Sequence, residues 1–352
     1  MVDYAGWGII GTGKIARLFA RDVQDSRLGR VVAVGSRTAQ RAELFANEFG
    51  ISRWYASYDE LIVDPGVEFV YVATPHPSHA ALAMQAASAR KHVLCEKPLA
   101  VEAGSARRMV DHARSNKTFL MEAFAFRCHP QTHRLVQILN YDEIGEIRSI
   151  SATFGYDAGP APTNYLLRND LAGGSILDVG CYTIALTRQL AGICTGALFR
   201  NPARVVGAGL LDSKNGVDLD AAAVEWFDDG LTCQVMSSIR TNLDSTVDIT
   251  GTGGFIRLPA PWLPGRNGDA PRIEIRRHRG PAREVKIGDA RGLYGIEADT
   301  VVARVREGRL EAPEMSWSDS IGNMDVLDTW RSQVGVRYAQ LDGAISAAAQ
   351  GA

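Results

Sequence analysis

The stretch Trp7-Gly-Ile-Ile-Gly-Thr-Gly-Lys-Ile-Ala16 joins a short apolar run to a Gly-rich turn and then to a helical pattern. Strand, turn and helix in this order give a G-x-G-x-x-A motif its predictive value for dinucleotide binding. Gly11 permits a tight turn, Gly13 lets the backbone approach a pyrophosphate, and Ala16 allows close packing of helix on strand. The N–H groups and dipole at the helix start favour phosphates. We assign Gly11-Thr12-Gly13-Lys14-Ile15-Ala16 to the cofactor, although the motif alone also fits a glycine turn without a ligand.

The end of the second predicted strand indicates which cofactor is bound. An NAD-specific site would end this strand in a carboxylate that holds the ribose 2′-hydroxyl. Here the strand ends in Gly35-Ser36-Arg37-Thr38, and Arg41 follows one helical turn later. The missing acid removes repulsion against a 2′-phosphate, and a guanidinium fork matches phosphate geometry. We therefore favour NADP(H) over NAD(H), with Ser36, Arg37 and Arg41 in its site; the other interpretation is that both arginines are solvated charges.

Strands and helices continue to alternate up to Ala123, which predicts a parallel doubly wound sheet. Phe69–Ala73 reads as a strand, and the segment from Thr74 to His79 opens the next helix. We expect Ala73, Thr74, Pro75 and His79 beside the cofactor. His76 and His79 have i, i+3 spacing but lack further ligands nearby, so no metal site is expected.

The stretch His92-Val-Leu-Cys-Glu-Lys-Pro98 reads as a buried strand that runs into a charged pair and a proline. Proline ends the strand because its ring fixes φ and removes a hydrogen-bond donor. Glu96 and Lys97 are therefore expected at the carboxyl edge of the sheet, where ligands of open α/β sheets bind. We assign both to the cofactor site and Lys97 to catalysis as well.

The pattern changes after residue 123, so we predict a Rossmann domain over 1–123 and a substrate and oligomerisation domain over 124–342. The last helix of the second domain is able to pack back on the first, and the small, polar tail 343–352 is expected to be disordered. Short β-like runs predict a large, mainly antiparallel sheet, one face of which needs a cover. These runs are Arg204–Leu211, Ala221–Phe227, Leu231–Ile239, Thr246–Thr250 and Gly254–Leu258.

Composition excludes several classes of function. The net charge of −2 gives no reason to expect nucleic acid or an anionic membrane surface as a partner. No apolar run approaches the roughly 18 residues that cross a bilayer, and the N-terminus lacks the pattern of a signal peptide. The five cysteines are scattered without C-x-x-C spacing, which favours a reducing cytoplasm over a disulfide framework or a zinc site. We expect a cytoplasmic protein with a small-molecule substrate.

Together with the downstream motif Gly173-Gly-x-x-x-Asp178-x-Gly180-x-Tyr182, these features resemble the Gfo/Idh/MocA oxidoreductase family over roughly residues 6–340. The chain is most similar to the branch of dihydrodiol dehydrogenase and NADP-dependent xylose dehydrogenase. The residues that carry this likeness are Met121-Glu-Ala-Phe124, Gly180-Cys-Tyr182 and Tyr294-Gly-Ile-Glu-Ala298. The resemblance implies a Rossmann domain, an α/β domain with a large open sheet, and nicotinamide-linked hydride transfer at a carbon bearing oxygen. It also implies a homo-oligomer, either a dimer through the open sheet or a dimer of dimers.

The resemblance makes Tyr182 the proton carrier, although many members have a histidine at this position. Lowering a phenol pKa from about 10 to near neutrality requires roughly 4 kcal/mol. One ammonium at about 4 Å supplies a similar amount at an effective dielectric of 20, so Lys97 alone could suffice. Asp178, one helical turn earlier, would oppose the phenolate, so we give it an orienting role. The alternatives are that Tyr182 is a packed core residue and that Lys97 is a surface charge.

A further set of residues is assigned to the substrate. Arg127 and His129 stand where some sugar-active relatives carry polar active-site residues. Aromatic side chains would suit an apolar ring face as well as a sugar. The full substrate set is Phe124, Phe126, Arg127, His129, Tyr156, Tyr165 and Arg168.

The resulting hypothesis is an NADP(H)-dependent oxidoreductase that acts on a sugar, a sugar derivative or a cyclic vicinal diol. A keto-sugar reductase of a biosynthetic pathway is one alternative, and a non-catalytic NADP-binding regulator is another. Retention of both Lys97 and Tyr182 argues against the regulator, because a sensor needs the pocket but not the proton carrier.

Overall fold

A computed structural model describes residues 4–159, 164–266, 270–289 and 291–339. The chain divides into two compact units. The first comprises Met1–Thr132, Leu263–Ala270 and Gly288–Ile321, and the second comprises His133–Trp262, Pro271–Ile287 and Gly322–Ala352. The predicted tail 343–352 lies outside the described residues.

The first unit contains a six-stranded parallel sheet with the strand order β3-β2-β1-β4-β5-β6. Its strands are β1 (Ala5–Ile10), β2 (Gly29–Gly35), β3 (Arg53–Tyr55), β4 (Phe69–Val72), β5 (His92–Glu96) and β6 (Leu120–Ala123). This is the order of dinucleotide-binding doubly wound folds, with its switch point between β1 and β4. The predicted parallel doubly wound sheet is confirmed.

Helices pack against this sheet, which explains why its central strands β1 and β4 are fully buried. The described α-helices of the whole chain are α1 (Lys14–Val23), α2 (Ala39–Phe49), α3 (Tyr58–Val63), α4 (His79–Ser88), α5 (Ala103–Asn116), α6 (Ala125–Cys128), α7 (Pro130–Asn140), α8 (Cys181–Ile193), α9 (Leu293–Arg306) and α10 (Trp317–Val334). All six residues of β1 are buried. The Trp7 ring contacts Phe19 at 5.4 Å and Phe69 at 5.0 Å between centroids, and Phe19 stacks on Tyr71.

Helix α9 belongs to the first unit although it lies far along the chain, and it packs against α1 and α6. Its first turn approaches the end of α1 closely. A Cβ at Gly295 would lie 2.5 Å from the carbonyl oxygen of Asp22, so glycine is what allows this contact. The Asp22 carboxylate also accepts a hydrogen bond from the backbone N–H of Tyr294.

The second unit is built on an eight-stranded sheet with the order β14-β13-β12-β11-β7-β10-β9-β8. Its strands are β7 (Ile147–Gly155), β8 (Arg204–Leu211), β9 (Asp218–Trp226), β10 (Thr232–Ser238), β11 (Val247–Gly251), β12 (Gly254–Leu258), β13 (Arg272–Arg277) and β14 (Arg283–Lys286). Among these strands only β7 and β10 pair in parallel. The prediction of a mainly antiparallel sheet is therefore confirmed, and β13 and β14 extend it beyond the predicted runs.

The two faces of this sheet differ. In β10, Cys233, Val235 and Ser237 are buried and alternate with more accessible residues, as expected when α8 and the turn before it cover one face. The pairing register puts several exposed apolar side chains on the other face. They are Val206, Leu210, Trp226 and Phe255. We call this the open face.

No helix in the described part of the chain has the length and apolar character that a membrane span requires.

Candidate functional site

The Gly-rich turn links β1 to α1 at the carboxyl edge of the first unit's sheet. Gly11 has φ +108°, and a Cβ there would lie 2.7 Å from the carbonyl oxygen of Ala73, so a side chain is excluded on both counts. Gly13 is the N-cap residue of α1, and a Cβ on it would meet no described atom within 4 Å. Ala16 is fully buried. A tight turn with open space at the helix start fits the phosphates of a dinucleotide.

The end of β2 presents two cations beside the same edge. Arg37 and Arg41 are exposed, while Ser36 is buried and donates its backbone N–H to Tyr55. Burial raises the pKa of Tyr58, and the charges of Arg37 and Arg41 offset part of that rise. Both guanidinium groups therefore lie near one phenol, where they are available to an anionic ligand.

His79 joins the loop after β4 to the loop after β5. The ring is fully buried; its Nε2 lies 2.8 Å from the carbonyl oxygen of Thr74 and its Nδ1 3.0 Å from that of Pro98. Burial lowers the pKa of this imidazole. Ser78 donates its hydroxyl to the Thr74 side chain at 2.7 Å. His79 thus orders two loops at the sheet edge. These two contacts explain its burial without a contact to a metal or to a cofactor.

The turn that follows β5 is anchored by Glu96. This buried carboxylate accepts a hydrogen bond from the Tyr71 hydroxyl through Oε1, and its Oε2 accepts the Lys97 backbone N–H at 3.2 Å. The Lys97–Pro98 peptide bond is cis. Lys97 itself is partly exposed. Through these contacts Glu96 anchors the turn.

A second buried carboxyl in the first unit is that of Glu297 on α9. Neither of its oxygens has a hydrogen-bond partner among the described residues. Burial and the charge of Glu96 raise the pKa of Glu297 well above its ordinary value. The same surroundings raise the pKa of Tyr71 and of Tyr294. Glu297 is therefore favoured as the neutral acid. The sequence predicts no role for Glu297, which stands there only within the Tyr294–Ala298 likeness.

In the second unit, two of the predicted side chains, those of Tyr156 and Tyr165, meet at the carboxylate of Asp178. This residue lies in a π-helical turn, Ile176–Gly180, that leads directly into α8. Its Oδ2 accepts a hydrogen bond from the Tyr156 hydroxyl at 2.5 Å, and its Oδ1 lies 3.5 Å from the Tyr165 hydroxyl. Single π-helical turns inside helices are frequent at functional sites. Asp178 is thus an acceptor held between two phenols.

Tyr182 lies in the first turn of α8, within an aromatic cluster. The ring is 9% exposed and meets Phe154 edge-on at 5.3 Å and Trp262 at 6.1 Å between centroids. Trp262 stacks on Phe154 at 5.6 Å and donates its Nε1–H to the Thr153 carbonyl at 2.8 Å. Sequence reasoning missed Trp262, whose only signal is its place in the turn-rich run Pro259-Ala-Pro-Trp-Leu-Pro264.

The remaining substrate candidates have packing partners within their own units. Arg127 is buried in an ion pair with Asp319 at 2.7 Å. The Phe124 and Phe126 rings are buried and lie 5.9 Å apart. His129 is buried, and its Nδ1 accepts the backbone N–H of Gln131. Arg168 is exposed and paired with Asp170. Their substrate roles stay predictions, and for Arg127 the ion pair supplies a structural role.

Comparisons with known proteins agree with this architecture. Residues 5–124 match the GFO_IDH_MocA model, described as an oxidoreductase family with an NAD-binding Rossmann fold, and residues 132–257 match the GFO/IDH/MocA C-terminal domain. Trans-1,2-dihydrobenzene-1,2-diol dehydrogenase of Mus musculus is 33% identical, over 95% of this chain and 98% of the relative.

Solved structures have the same fold. The 3-ketoreductase KijD10 of Actinomadura kijaniata, in complex with TDP-benzene and NADP, has a TM-score of 0.81 at 26% identity, covering 94% of this chain and 98% of that one. Aldose-aldose oxidoreductase of Caulobacter crescentus has a TM-score of 0.83 at 22% identity, with the same coverage, which shows the fold alone.

Proposed function

This chain belongs to the Gfo/Idh/MocA oxidoreductase family, and we propose that it transfers a hydride between NADP(H) and an oxygen-bearing carbon of a small substrate. The substrate class is a sugar, a sugar derivative or a cyclic vicinal diol. The observation that carries the proposal is the Asp178 cluster, in which two phenols converge on a carboxylate one turn from Tyr182. The diol dehydrogenase and ketoreductase relatives support the same class of chemistry.

The nicotinamide would accept the hydride in oxidation and donate it in reduction, while the protein must move the accompanying proton and hold the geometry. We assign the proton to the Tyr182 hydroxyl, with the Lys97 ammonium as the cation that lowers the phenol pKa. Both Asp178 oxygens face phenol hydroxyls, so we give this residue the role of an acceptor that orients hydroxyl groups rather than that of a proton donor. The turn at Gly11 and Gly13 would hold the pyrophosphate, and Arg37 and Arg41 the 2′-phosphate.

The aromatic cluster supports a substrate with an apolar ring face. The partly exposed Phe154 ring lies beside Tyr182 and stacks on the buried Trp262, and such a ring suits the face of a sugar or of a cyclic diol. The Asp178 carboxylate would recognise hydroxyl groups next to it. A keto-sugar reductase would use the same groups in the opposite direction. The regulator remains the less favoured alternative, since it would not need Tyr182.

Nicotinamide absorbance at saturating cofactor, over a panel of aldoses, keto-sugars and trans-diols in both directions, tests the proposal. We expect turnover of at least one member, faster with NADP(H) than with NAD(H). Tight NADP(H) binding without turnover across the whole panel would instead support the regulator.

Substitution Arg37→Ala is expected to raise the Kd for NADP(H) by about 10- to 100-fold and to leave that for NAD(H) nearly unchanged. Hydrogen bonds to charged groups contribute about 1.5–3 kcal/mol, and only NADP(H) carries the 2′-phosphate. Fluorescence titration with both cofactors measures this. Arg108→Ala, which removes an exposed arginine of α5, is the control. Equal losses for the two cofactors would exclude Arg37 as the phosphate ligand.

We also propose that a second copy of the chain covers the open face. Its exposed Val206, Leu210, Trp226 and Phe255 are apolar side chains on a broad sheet surface. Light scattering should then give about twice the 38.1 kDa chain mass, or four times for a dimer of dimers. Trp226→Glu should yield monomers, whereas Trp54→Glu, at an exposed tryptophan of the first unit, should not. A native mass of one chain would contradict the proposal.

A cytoplasmic location is proposed from the state of the thiols. The five cysteines form no disulfide bond in the described part of the chain, and four of them are buried. Free thiols are typical of a reducing compartment. Recovery of the protein in a secreted or membrane fraction would contradict this location.

A further inference from the structure

The loop Gly173-Gly174-Ser175 leads into the π-helical turn that carries Asp178, and a buried carboxylate holds the junction. Asp218, at the start of β9, is fully buried. Its Oδ2 accepts hydrogen bonds from the Ser175 hydroxyl at 2.8 Å and from the Ile176 backbone N–H at 2.6 Å. The Ser175 oxygen also lies 2.9 Å from the Ser237 hydroxyl oxygen. Asp218 therefore satisfies one of the amides that a helix start leaves without an intrahelical partner.

The glycine pair exists because of this close approach. Gly174 has φ +113°, and a Cβ there would lie 2.1 Å from Asp218 Oδ1. A Cβ on Gly173 would lie 2.2 Å from the carbonyl oxygen of Leu166. The motif Gly173-Gly-x-x-x-Asp178 thus contains two positions without room for a side chain. One of them faces Asp218 directly.

Groups from the end of the chain complete the surroundings. The Tyr338 hydroxyl donates a hydrogen bond to the Gly173 carbonyl at 2.7 Å. Burial raises the pKa of Asp218 to about 6, against the lowering effect of its two hydrogen bonds and of the Arg331 cation on α10. The two hydrogen-bond donors and the Arg331 cation favour the ionised form of this buried carboxyl. These contacts all lie within the second unit.

We propose that Asp218 is a positioning residue for the proposed reaction. By holding the Ser175 hydroxyl and the Ile176 amide, it fixes where the π-helical turn begins. Asp178 and Tyr182 follow on the same continuous helical backbone, so the place where that backbone begins determines where their side chains lie. A displacement of about 1 Å in a catalytic group can cost about 100-fold in rate. The inference rests on the proposed function of Tyr182.

Asp218→Ala is expected to lower kcat by about 10- to 100-fold and to leave the Kd for NADP(H) unchanged. Asp218→Asn keeps one acceptor oxygen for both donors, so it should recover most of the activity. Ser175→Ala, which removes one of the two donors, should fall between them and covers the case in which Asp218→Ala does not fold. Glu225→Gln, a fully buried carboxyl on the same strand that does not hold the turn, is the control.

A purely structural role would not change the pH dependence of the rate in folded protein. If Asp218 positions Tyr182, the kcat–pH profile of Asp218→Ala shifts, while that of Glu225→Gln does not. Folded Asp218→Ala and Ser175→Ala with native kcat and native pH profiles would overturn the proposal. If the native chain turns over no substrate, the proposed function fails. The positioning role is then judged by crystal structures of the native chain and Asp218→Ala, in which an unmoved Tyr182 hydroxyl overturns it.

Discussion

Tyr182→Phe is expected to lower kcat by about 10²- to 10⁴-fold, the usual contribution of a positioned acid or base. The substitution removes one oxygen and keeps the ring, so the contacts with Phe154 and Trp262 survive. The side chain is only 9% exposed, and the loss of a hydroxyl leaves its apolar packing in place. The fold and the Kd for NADP(H) should therefore be close to native. Steady-state kinetics, cofactor titration and thermal unfolding measure the three quantities.

Tyr141→Phe is the matched control, since it removes the same atom from an exposed side chain. It should leave kcat, KM and the melting temperature unchanged. Near-native turnover of Tyr182→Phe on a substrate of the native enzyme would mean that another group carries the proton. Loss of cofactor binding in this variant would instead point to a structural role for the hydroxyl.

The doubly wound sheet could be predicted because its signals are local. Each central strand is a short apolar run, and turn-forming or strand-ending residues mark where it stops. Examples are the turn at Gly11 and the proline after Lys97. The place of α9 could not be predicted in this way. Its contact with α1 depends on Gly295 meeting the backbone of Asp22, more than 270 positions earlier. Periodicity identifies an apolar helix face but not the partner of that face.

The geometry of the Asp178 cluster could not be predicted from the sequence. Tyr156, Tyr165 and Asp178 were all named from the sequence, yet nothing local indicates that two phenols meet one carboxylate. The π-helical turn could not be predicted either. In a stretch of five residues, the period of a π-helix cannot be distinguished from that of an α-helix.

Besides Trp262, two residues that could not be predicted from the sequence are buried acids. A sequence pattern predicts that Asp218 and Glu297 are exposed, since acids are rarely buried without a partner. Only the fold shows that one holds a backbone amide and that the other lies near Glu96. The opposite case is Arg127, predicted at the substrate and found in a buried ion pair with Asp319. Exposure of a single charged residue depends on long-range packing.

Lys97→Met is expected to lower kcat at neutral pH by about 10²- to 10³-fold while changing the Kd for NADP(H) much less. Methionine keeps most of the apolar stem and removes the cation. An ammonium about 4 Å from a phenolate contributes on the order of 4 kcal/mol at an effective dielectric of 20, and each 1.36 kcal/mol is a factor of ten. Without that charge the phenol pKa returns toward its ordinary value. The rate should therefore recover partly as the pH rises, which a kcat–pH profile measures.

Two comparisons distinguish this electrostatic role from cofactor binding. Lys214→Met removes an exposed lysine of the second unit and should leave the profile unchanged. If Lys97 acts through Tyr182, the double variant Lys97→Met/Tyr182→Phe should be no slower than Tyr182→Phe alone, because groups that act as a unit are not additive. Independent action would multiply the two losses. A large rise in the Kd for NADP(H), with an unshifted pH profile, would assign Lys97 to the cofactor instead.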